Sequence, residues 1–135
     1  MSRQARLRIH VAAGILQNSQ GDVLLTERLC DGPFHGLWEF PGGKIEDDEA
    51  ADVGLKRELH EELGIEVLDS EPYMRLSHDY DDRSVDLEFF LVKRWRGEPV
   101  GLEGQQLRWA NVERLDAAEL LPADAPLLAA LRQTG

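Results

Sequence analysis

The sequence predicts an α/β fold in which a mixed sheet packs between helices. Strand-like apolar runs occur before, between and after two regions of helical periodicity. The 135 residues suit one compact domain, and a hydrophobic content of 42% with a charged content of 30% is typical of a globular chain. We therefore expect residues 1–135 to form a single domain.

The N-terminal part contains three predicted strands. Nearly every residue of "LRIHVAAGIL", Leu7–Leu16, is apolar, which is typical of a buried strand. A second strand, "VLLTER", covers residues 23–28, and the turn residues "QNSQGD" between the two predict a β-hairpin. After the loop "LCDGPFHG", the short strand "LWEF" is expected to end at "PGG", residues 41–43.

The next segment is predicted to be an acidic helix. Asp47 or Asp48 can cap its first turn, and Gly64 supplies the C-terminal stop. Apolar residues at steps of four give the helix a buried face that contains Ala51, Leu55, Leu59 and Leu63.

The second half predicts a hairpin, a strand and a helical region. "PYMRLSHDY" and "VDLEFFLVKRW" flank the turn "DDRS", which is the pattern of a second β-hairpin. "LRWANV" is a short late strand. "LDAAELL" and "APLLAALRQ" have helical periodicity and follow turn or proline signals.

The charge balance and the single cysteine exclude several kinds of partner and site. The formal net charge of −11 argues against a polyanion such as duplex DNA, and it leaves room for bound divalent cations. Cys30 is the only cysteine, which excludes an internal disulfide and a zinc site built on several thiolates. We expect a reducing, cytoplasmic location and no membrane attachment, because no apolar run approaches about 18 residues.

The segment "RELHEELG", residues 57–64, contains three glutamates within a span of five positions. On a helix, Glu58, Glu61 and Glu62 share one strip, where each like-charged pair costs about 0.2–0.5 kcal/mol. A bound cation removes that repulsion, and Mg²⁺ prefers oxygen ligands such as carboxylates. The strip therefore predicts a magnesium site.

Two neighbouring features favour a site at this strip. Gly42 and Gly43 lack side chains, so their backbone can approach a metal ion or a phosphate closely. Arg57 and Glu61 are four positions apart, a spacing that predicts an ion pair able to orient a ligand.

The surrounding residues complete a longer motif. Gly43 is followed after five residues by Glu49 and, after seven more, by "RELHEELGI", which matches the Nudix box at every defined position. The chain resembles the Nudix hydrolases, and within them the bacterial MutT-type 8-oxo-dGTP diphosphatases, from about Leu7 to Leu131. Outside the box, the resemblance is carried by "LWEFPGGKIE", "VKRWRGEPVGLEGQ" and "LLPADAPLL".

The resemblance implies both a fold and an activity. The fold is the Nudix α/β/α sandwich with a central mixed sheet. The activity is Mg²⁺-dependent hydrolysis, with Mn²⁺ as a possible substitute, of oxidised purine nucleoside triphosphates such as 8-oxo-dGTP to the monophosphate and pyrophosphate. This reaction sanitises the nucleotide pool and prevents mutation during DNA replication. The implied partner is a small nucleotide and not a nucleic acid polymer, and the protein is expected to be a monomer.

The resemblance also assigns site residues by matching positions. The catalytic residues it implies are Glu49, Arg57, Glu58, Glu61, Glu62 and Glu103. The metal ligands it implies are Gly42, Gly43, Glu58, Glu61, Glu62 and Glu103. The substrate-binding residues it implies are Arg28, Glu39, Phe40, Pro41, Gly42, Arg83 and Asp124.

Asp124 departs from the pattern, because the MutT type has an asparagine there that reads the oxidised guanine. An asparagine amide donates and accepts hydrogen bonds, whereas an ionised aspartate can only accept. Facing O6 of 8-oxoguanine, an ionised aspartate would place acceptor against acceptor. Either Asp124 is protonated in the complex, its pKa raised by burial, or the preferred base is not 8-oxoguanine.

Two other functions are compatible with the sequence. One is hydrolysis of another nucleotide, such as a different NTP or dNTP or an ADP-ribose-like compound. The segment "SHDYDD" lacks the proline that is frequent in the ADP-ribose subgroup, which weakens that variant. The other is a non-catalytic Nudix domain that senses a nucleotide, although such domains usually have damaged boxes and this box is intact.

Overall fold

The computed structural model describes residues 7–29 and 34–134. The strands are β1 Leu7–Leu16, β2 Val23–Glu27, β3 Trp38–Glu39, β4 Gly42–Lys44, β5 Glu66–Asp79, β6 Arg83–Arg96 and β7 Leu107–Ala110. The helices are α1 Ala51–Leu63 and α2 Ala125–Thr134, and two 3-10 turns, Ala117–Glu119 and Pro122–Asp124, precede α2. The centre of the predicted loop "LCDGPFHG", residues 30–33, lies outside the described residues.

The strands form two sheets. A four-stranded mixed sheet has the order β4-β1-β6-β5, in which β1 is parallel to β6 and antiparallel to β4. β5 and β6 form the antiparallel hairpin that was predicted around "DDRS". A separate antiparallel sheet has the order β3-β2-β7.

The predicted hairpin between the first two strands is wrong. Among the described residues, β1 and β2 share no ladder, and a single bridge between Gln17 and Val23 joins their ends. β1 has β4 on one edge and β6 on the other, so neither edge is open to β2. Residues far along the chain decide this pairing, and local turn residues do not indicate it.

Helices cover both faces of the four-stranded sheet. Successive side chains of β1 point to opposite faces, so Ala12 and Leu16 pack with α1, whereas Ala13 and Ile15 belong to the cluster that includes α2. The predicted buried face of α1 is confirmed by Leu55, Leu59 and Leu63, which are fully buried, with Ala51 partly buried beside them. The predicted α/β/α sandwich is confirmed.

α1 begins later than predicted. Asp47 and Asp48 do not cap it, because they lie in a turn closed by the N–H of Glu49, which donates to the carbonyl of Glu46 at 3.0 Å. The helix starts at Ala51 without a side-chain cap. The turn instead places the Glu49 side chain beside α1, where it pairs with Arg57.

α1 ends at Gly64, as predicted. The backbone of Gly64 is left-handed, with φ of 72°, and its N–H donates to the carbonyl of His60 at 3.0 Å. Residues with a Cβ rarely adopt that conformation, so glycine terminates the helix here.

The "PGG" segment does not simply end a strand. Gly42–Lys44 form β4, which pairs with β1. A Cβ on Gly42 would lie 2.0 Å from the carbonyl oxygen of Ala12, so only glycine allows the two backbones this close. The glycines of "PGG", which predicted the end of a strand, therefore permit a strand. This strand, β4, places Gly43 against α1.

The predicted helical region "LDAAELL" contains one 3-10 turn and no α-helix. Asp116 accepts the N–H of Ala118 at 2.9 Å, and Glu119 accepts the N–H of Asp116 at 3.3 Å, which together form a capping box. The following Pro122 begins a new turn that leads into α2. No helix within residues 7–29 and 34–134 has the length and apolarity needed to cross a membrane.

Candidate active site

The glutamate strip of α1 lies against β4. A Cβ on Gly43 would lie 2.4 Å from Oε2 of Glu58, so the backbone of β4 is in direct contact with this carboxylate. α1 is held there by its buried leucines, and β4 is held by its pairing with β1. The structure therefore places the Gly43 backbone against the strip, and the predicted approach to a metal ion or a phosphate stays a prediction.

Glu62 is the most desolvated member of the strip. Among the described residues, its Oε2 atom is buried without a hydrogen-bond partner. Burial raises the pKa of Glu62 to about 8, and the charges of Glu58 and Glu103 add to this rise, while a hydrogen bond from the backbone of Gly42 opposes it. No described Lys, Arg or His side chain forms an ion pair with this carboxylate.

The other two glutamates of the strip have different surroundings. Burial raises the pKa of Glu58, against the opposing effect of Arg57. Glu61 is about half exposed, and its Oε2 lies 3.5 Å from Nη1 of Arg57, which confirms the predicted ion pair. Glu103 lies in an exposed loop, yet its charge acts on both Glu58 and Glu62.

Arg57 and Glu49 form a clamp behind the strip. Nε and Nη2 of Arg57 donate to the two carboxylate oxygens of Glu49 at 2.8 and 2.9 Å. This pairing lowers the pKa of Glu49 to about 2 and raises the pKa of Arg57. Arg57 also donates to Oε1 of Glu58 at 3.0 Å and to the carbonyl of Lys44 at 3.0 Å. The two residues predicted as catalytic are thus placed to orient Glu58.

Sequence reasoning missed the glycine that makes room for this clamp. A Cβ on Gly54 would lie 2.9 Å from Oε1 of Glu49, so a larger residue would displace that carboxylate. A glycine inside a helix lowers the stability of that helix. The presence of Gly54 in the predicted helix is therefore the signal that could have identified it.

A cavity of about 280 Å³ opens beside the strip at Gly42 and Gly43. Most of the predicted substrate-binding residues line it, namely Arg28, Glu39, Phe40, Gly42, Arg83 and Asp124. Pro41 is not among its lining residues, because Pro41 is buried and its carbonyl accepts the N–H of Gly14 at 2.8 Å. Pro41 therefore shapes the wall indirectly.

Asp124 is a buried residue in the wall of the cavity. It is 4% exposed, and its Oδ2 accepts the backbone N–H of Phe40 at 3.0 Å. Burial raises the pKa of Asp124 to about 7, with a further contribution from Glu39. The phenyl ring of Phe40 packs against Phe89 with centroids 6.1 Å apart, so Phe40 belongs to the core as well as to the cavity wall.

Two aromatic residues of the cavity were not predicted. Phe34 and Tyr80 are in edge contact with ring centroids 5.3 Å apart, and the guanidinium of Arg83 lies 6.0 Å from the centre of the Tyr80 ring. Tyr80 Oη accepts the N–H of Ala123 at 3.3 Å. Tyr80 stands next to the quoted segment "DDRS", but only its contact across the fold reveals its place in the cavity.

Arg28 and Glu39 form an ion pair in the wall of the cavity. Nη1 of Arg28 lies 3.4 Å from Oε1 of Glu39, and burial raises the pKa of Glu39 against this pairing. The charge of Glu39 acts on both Glu62 and Asp124. The pair therefore limits the negative charge that the cavity presents.

The carboxylate strip of α1 lies beside the glycine backbone of β4 and a cavity of about 280 Å³, an arrangement suited to a divalent cation and a phosphate-bearing ligand. Residues 7–131 match the sequence model of the NUDIX domain. The chain belongs to the Nudix family.

Several named proteins are similar to this chain over most of its length. It is 44% identical over 120 residues to the "8-oxo-dGTP diphosphatase" of Haemophilus influenzae, a match that covers 89% of this chain and 88% of the relative. It is 38% identical over 122 residues to the "CTP pyrophosphohydrolase" of Escherichia coli, which covers 90% of each chain. A structure from a study of MutT from Aliivibrio salmonicida and Vibrio cholerae superposes with a TM-score of 0.78 at 35% identity and covers 95% of this chain and 99% of that one.

Nudix hydrolases generally need a divalent metal ion, and the residues of the strip fit one. The unpartnered oxygen of Glu62 and the Glu58 carboxylate against Gly43 are hard oxygen donors of the type that such ions prefer. Within residues 7–29 and 34–134, however, no three His, Cys, Asp or Glu side chains already converge on one point that could hold an ion. The full ligand set therefore stays a prediction.

Proposed function

We propose that the protein hydrolyses oxidised purine nucleoside triphosphates such as 8-oxo-dGTP to the monophosphate and pyrophosphate, with Mg²⁺ as its metal ion and Mn²⁺ as a substitute. One observation carries this proposal: a single cavity extends from the glycine backbone at the glutamate strip to the buried Asp124. The protein acts as a monomer on free cytoplasmic nucleotides and thereby prevents mutation during DNA replication.

At the strip, the chain's own residues would hold and orient the metal ion that faces the triphosphate end. Glu58, Glu61, Glu62, Glu103 and a carbonyl of Gly42 or Gly43 would hold the metal ion, which when bound neutralises phosphate charge and lowers the pKa of water. Arg57 fixes the Glu58 carboxylate through its bond at 3.0 Å. Glu49 fixes Arg57 in turn, so that the strip is ordered before substrate arrives.

At the other end, Asp124 would read the base. In the protonated form it offers one donor and one acceptor, which match O6 and N7–H of 8-oxoguanine. Its pKa of about 7 allows that form near neutral pH. The Arg83 guanidinium and the Tyr80 ring supply a flat wall for the base.

The test is pyrophosphate release from a panel of nucleotides, with Mg²⁺, with Mn²⁺ and with a chelator. We expect 8-oxo-dGTP to be hydrolysed faster than dGTP and the chelator to abolish turnover. The resemblance to the MutT type further implies that water attacks the β-phosphorus, so in ¹⁸O-labelled water the label should enter pyrophosphate. Label in the monophosphate alone, or equal rates for both nucleotides, would contradict the proposal.

A second candidate substrate is a nucleotide with an amino group on its base, such as CTP. The observation that favours it is the carboxylate of Asp124, which when ionised can accept a hydrogen bond from that amino group. The E. coli relative named CTP pyrophosphohydrolase is 38% identical to this chain. If this candidate is correct, CTP should exceed 8-oxo-dGTP in the panel, and its kcat/KM should rise with pH.

A further inference from the structure

The loop after β6 is tied to the C-terminal end of α1. The N–H of Val100 donates to the carbonyl of Leu63, and the N–H of Leu102 donates to the carbonyl of Glu62, both at 3.0 Å. The last carbonyls of a helix have no partner within the helix. The loop supplies those partners and is thereby fixed in register with the glutamate strip.

The side chain of Gln105 adds two hydrogen bonds to this junction, and we call this arrangement the Gln105 clamp. It is 8% exposed, its Oε1 accepts the backbone N–H of Glu103 at 2.9 Å, and its Nε2 donates to the carbonyl of Glu62 at 3.2 Å. A primary amide is suited to this position because it carries donors and an acceptor on one planar group. One buried side chain therefore joins the backbones of Glu103 and Glu62.

The loop is shaped around Gln105. A Cβ on Gly101 would lie 2.1 Å from the carbonyl oxygen of Gln105, and Gly104 adopts a φ of 86° that other residues rarely reach. Within the described residues, no hydrogen bond or ion pair holds the exposed carboxylate of Glu103 itself. The position of that carboxylate is therefore set through its backbone.

We propose that Gln105 is a positioning residue that holds the Glu103 loop against α1, so that Glu103 reaches the metal site beside Glu62. This inference rests on the proposed function for the role of Glu103. Carboxylates of like charge repel each other across this junction, so without the clamp the loop would move Glu103 away from Glu62. Gln105 keeps the site assembled before a cation binds.

A double-mutant cycle tests whether Gln105 acts through Glu103. Gln105→Met removes both hydrogen bonds at similar volume, and Gln106→Met is the matched control, because Gln106 is exposed and bonds through its backbone carbonyl. We expect Q105M to lower kcat about tenfold to a hundredfold without changing KM for the nucleotide, and Q106M to change neither. In an E103Q background, Q105M should cause no further loss, whereas additive losses would overturn the proposal.

Hydrogen exchange tests the clamp without measuring activity. In the metal-free protein, the Glu103 amide should exchange about tenfold faster in Q105M and at the wild-type rate in Q106M. A Glu103 amide that exchanges at the wild-type rate in Q105M would overturn the proposal. If wild type hydrolyses 8-oxo-dGTP but E103Q keeps full kcat, the inference fails while the proposed function stands.

A second variant covers the case in which Q105M does not fold. Gln105→Glu keeps the acceptor for the Glu103 N–H but sets an oxygen against the Glu62 carbonyl. In Q105E, the Glu103 amide should exchange its hydrogen at the wild-type rate, whereas kcat should be lower than in wild type. Wild-type kcat in Q105E would overturn the part of the proposal that joins the loop to α1.

Discussion

The glutamate strip and the cavity each contain a desolvated carboxylate, but the two are held differently. Glu62, on the glutamate strip, has a pKa raised to about 8 by burial and an oxygen without a partner among the described residues. Asp124, at the base end, has a pKa raised to about 7 by burial and accepts the N–H of Phe40 at 3.0 Å. A divalent cation would favour the ionised form of Glu62, whereas Asp124 is held by a neutral backbone donor and can take up a proton. The strip should therefore respond to metal ions, and at saturating Mg²⁺ the response to pH should come from the base end.

The largest effect is expected at the strip. Glu62→Gln should lower kcat about 10²–10³-fold, because it removes a charged oxygen from the metal site. The metal-free variant should melt no lower than wild type, since a desolvated carboxylate is replaced by a neutral amide. Kinetics and thermal melting with and without Mg²⁺ check this, and Mg²⁺ should raise Tm more in wild type than in the variant.

Glu113→Gln is the control for that experiment, because Glu113 is exposed and far along the chain from the strip. It should keep wild-type kcat and the wild-type response of Tm to Mg²⁺. Equal kcat for Glu62→Gln and wild type would remove Glu62 from the metal site.

The clamp behind the strip should have the next largest effect. Arg57→Lys keeps the charge but cannot reproduce the two parallel bonds to Glu49. We expect kcat to fall about tenfold to a hundredfold, with KM for the nucleotide nearly unchanged because the base end is intact. Lys56→Arg, at an exposed neighbour, should be neutral. A loss confined to KM would assign Arg57 to substrate binding instead.

At the base end, the raised pKa of Asp124 predicts that the stability of wild type, relative to Asp124→Asn, depends on pH. The folded state holds the Asp124 proton up to about pH 7, whereas the unfolded chain releases it near pH 4. The folded state therefore binds more protons between these values, and stability falls as pH rises through this window. Relative to Asp124→Asn, the Tm of wild type should decline from about pH 4 to pH 7. A constant Tm difference over this range would contradict the raised pKa.

The smallest effect is expected at the aromatic wall. Tyr80→Phe removes the oxygen that accepts the Ala123 N–H and keeps the ring against Phe34. The free energy of unfolding should fall by about 0.5–1.5 kcal/mol, as measured by denaturant unfolding. Turnover at the strip should be unchanged, so a large loss of kcat would show that the two ends are not independent.

The strip could be predicted from the sequence because all of its parts are local. Glu58, Glu61 and Glu62 share one helix, and their spacing alone places them on one side of it. Leu59 and Gly64 indicate which side is buried and where the helix ends, and the structure confirms both. Its first turn was placed too early, because the role of Glu49 as partner of Arg57 depends on tertiary contact.

The base end could be predicted only through the family resemblance. Asp124 and Phe40 are 84 positions apart, and Tyr80 meets Ala123 across 43 positions. No local pattern encodes such contacts. The same reason explains the wrong hairpin, because β1 pairs with β6, which is remote in sequence. Gln105 was missed likewise, since its partner in α1 lies 43 positions earlier.

The pH profile of kcat/KM for 8-oxo-dGTP, in wild type and in Asp124→Asn, tests most directly whether Asp124 reads the oxidised base as a neutral acid. Because kcat/KM reports the ionisation of the free enzyme, it should fall about tenfold from pH 6 to pH 8 in wild type at saturating Mg²⁺, which keeps Glu62 ionised, around the Asp124 pKa of about 7. Asp124→Asn should flatten this fall and keep the preference for 8-oxo-dGTP over dGTP, and Asp81→Asn, at an exposed position, should follow the wild-type profile. No preference for 8-oxo-dGTP over dGTP in wild type at any value between about pH 5 and pH 9 would contradict the account.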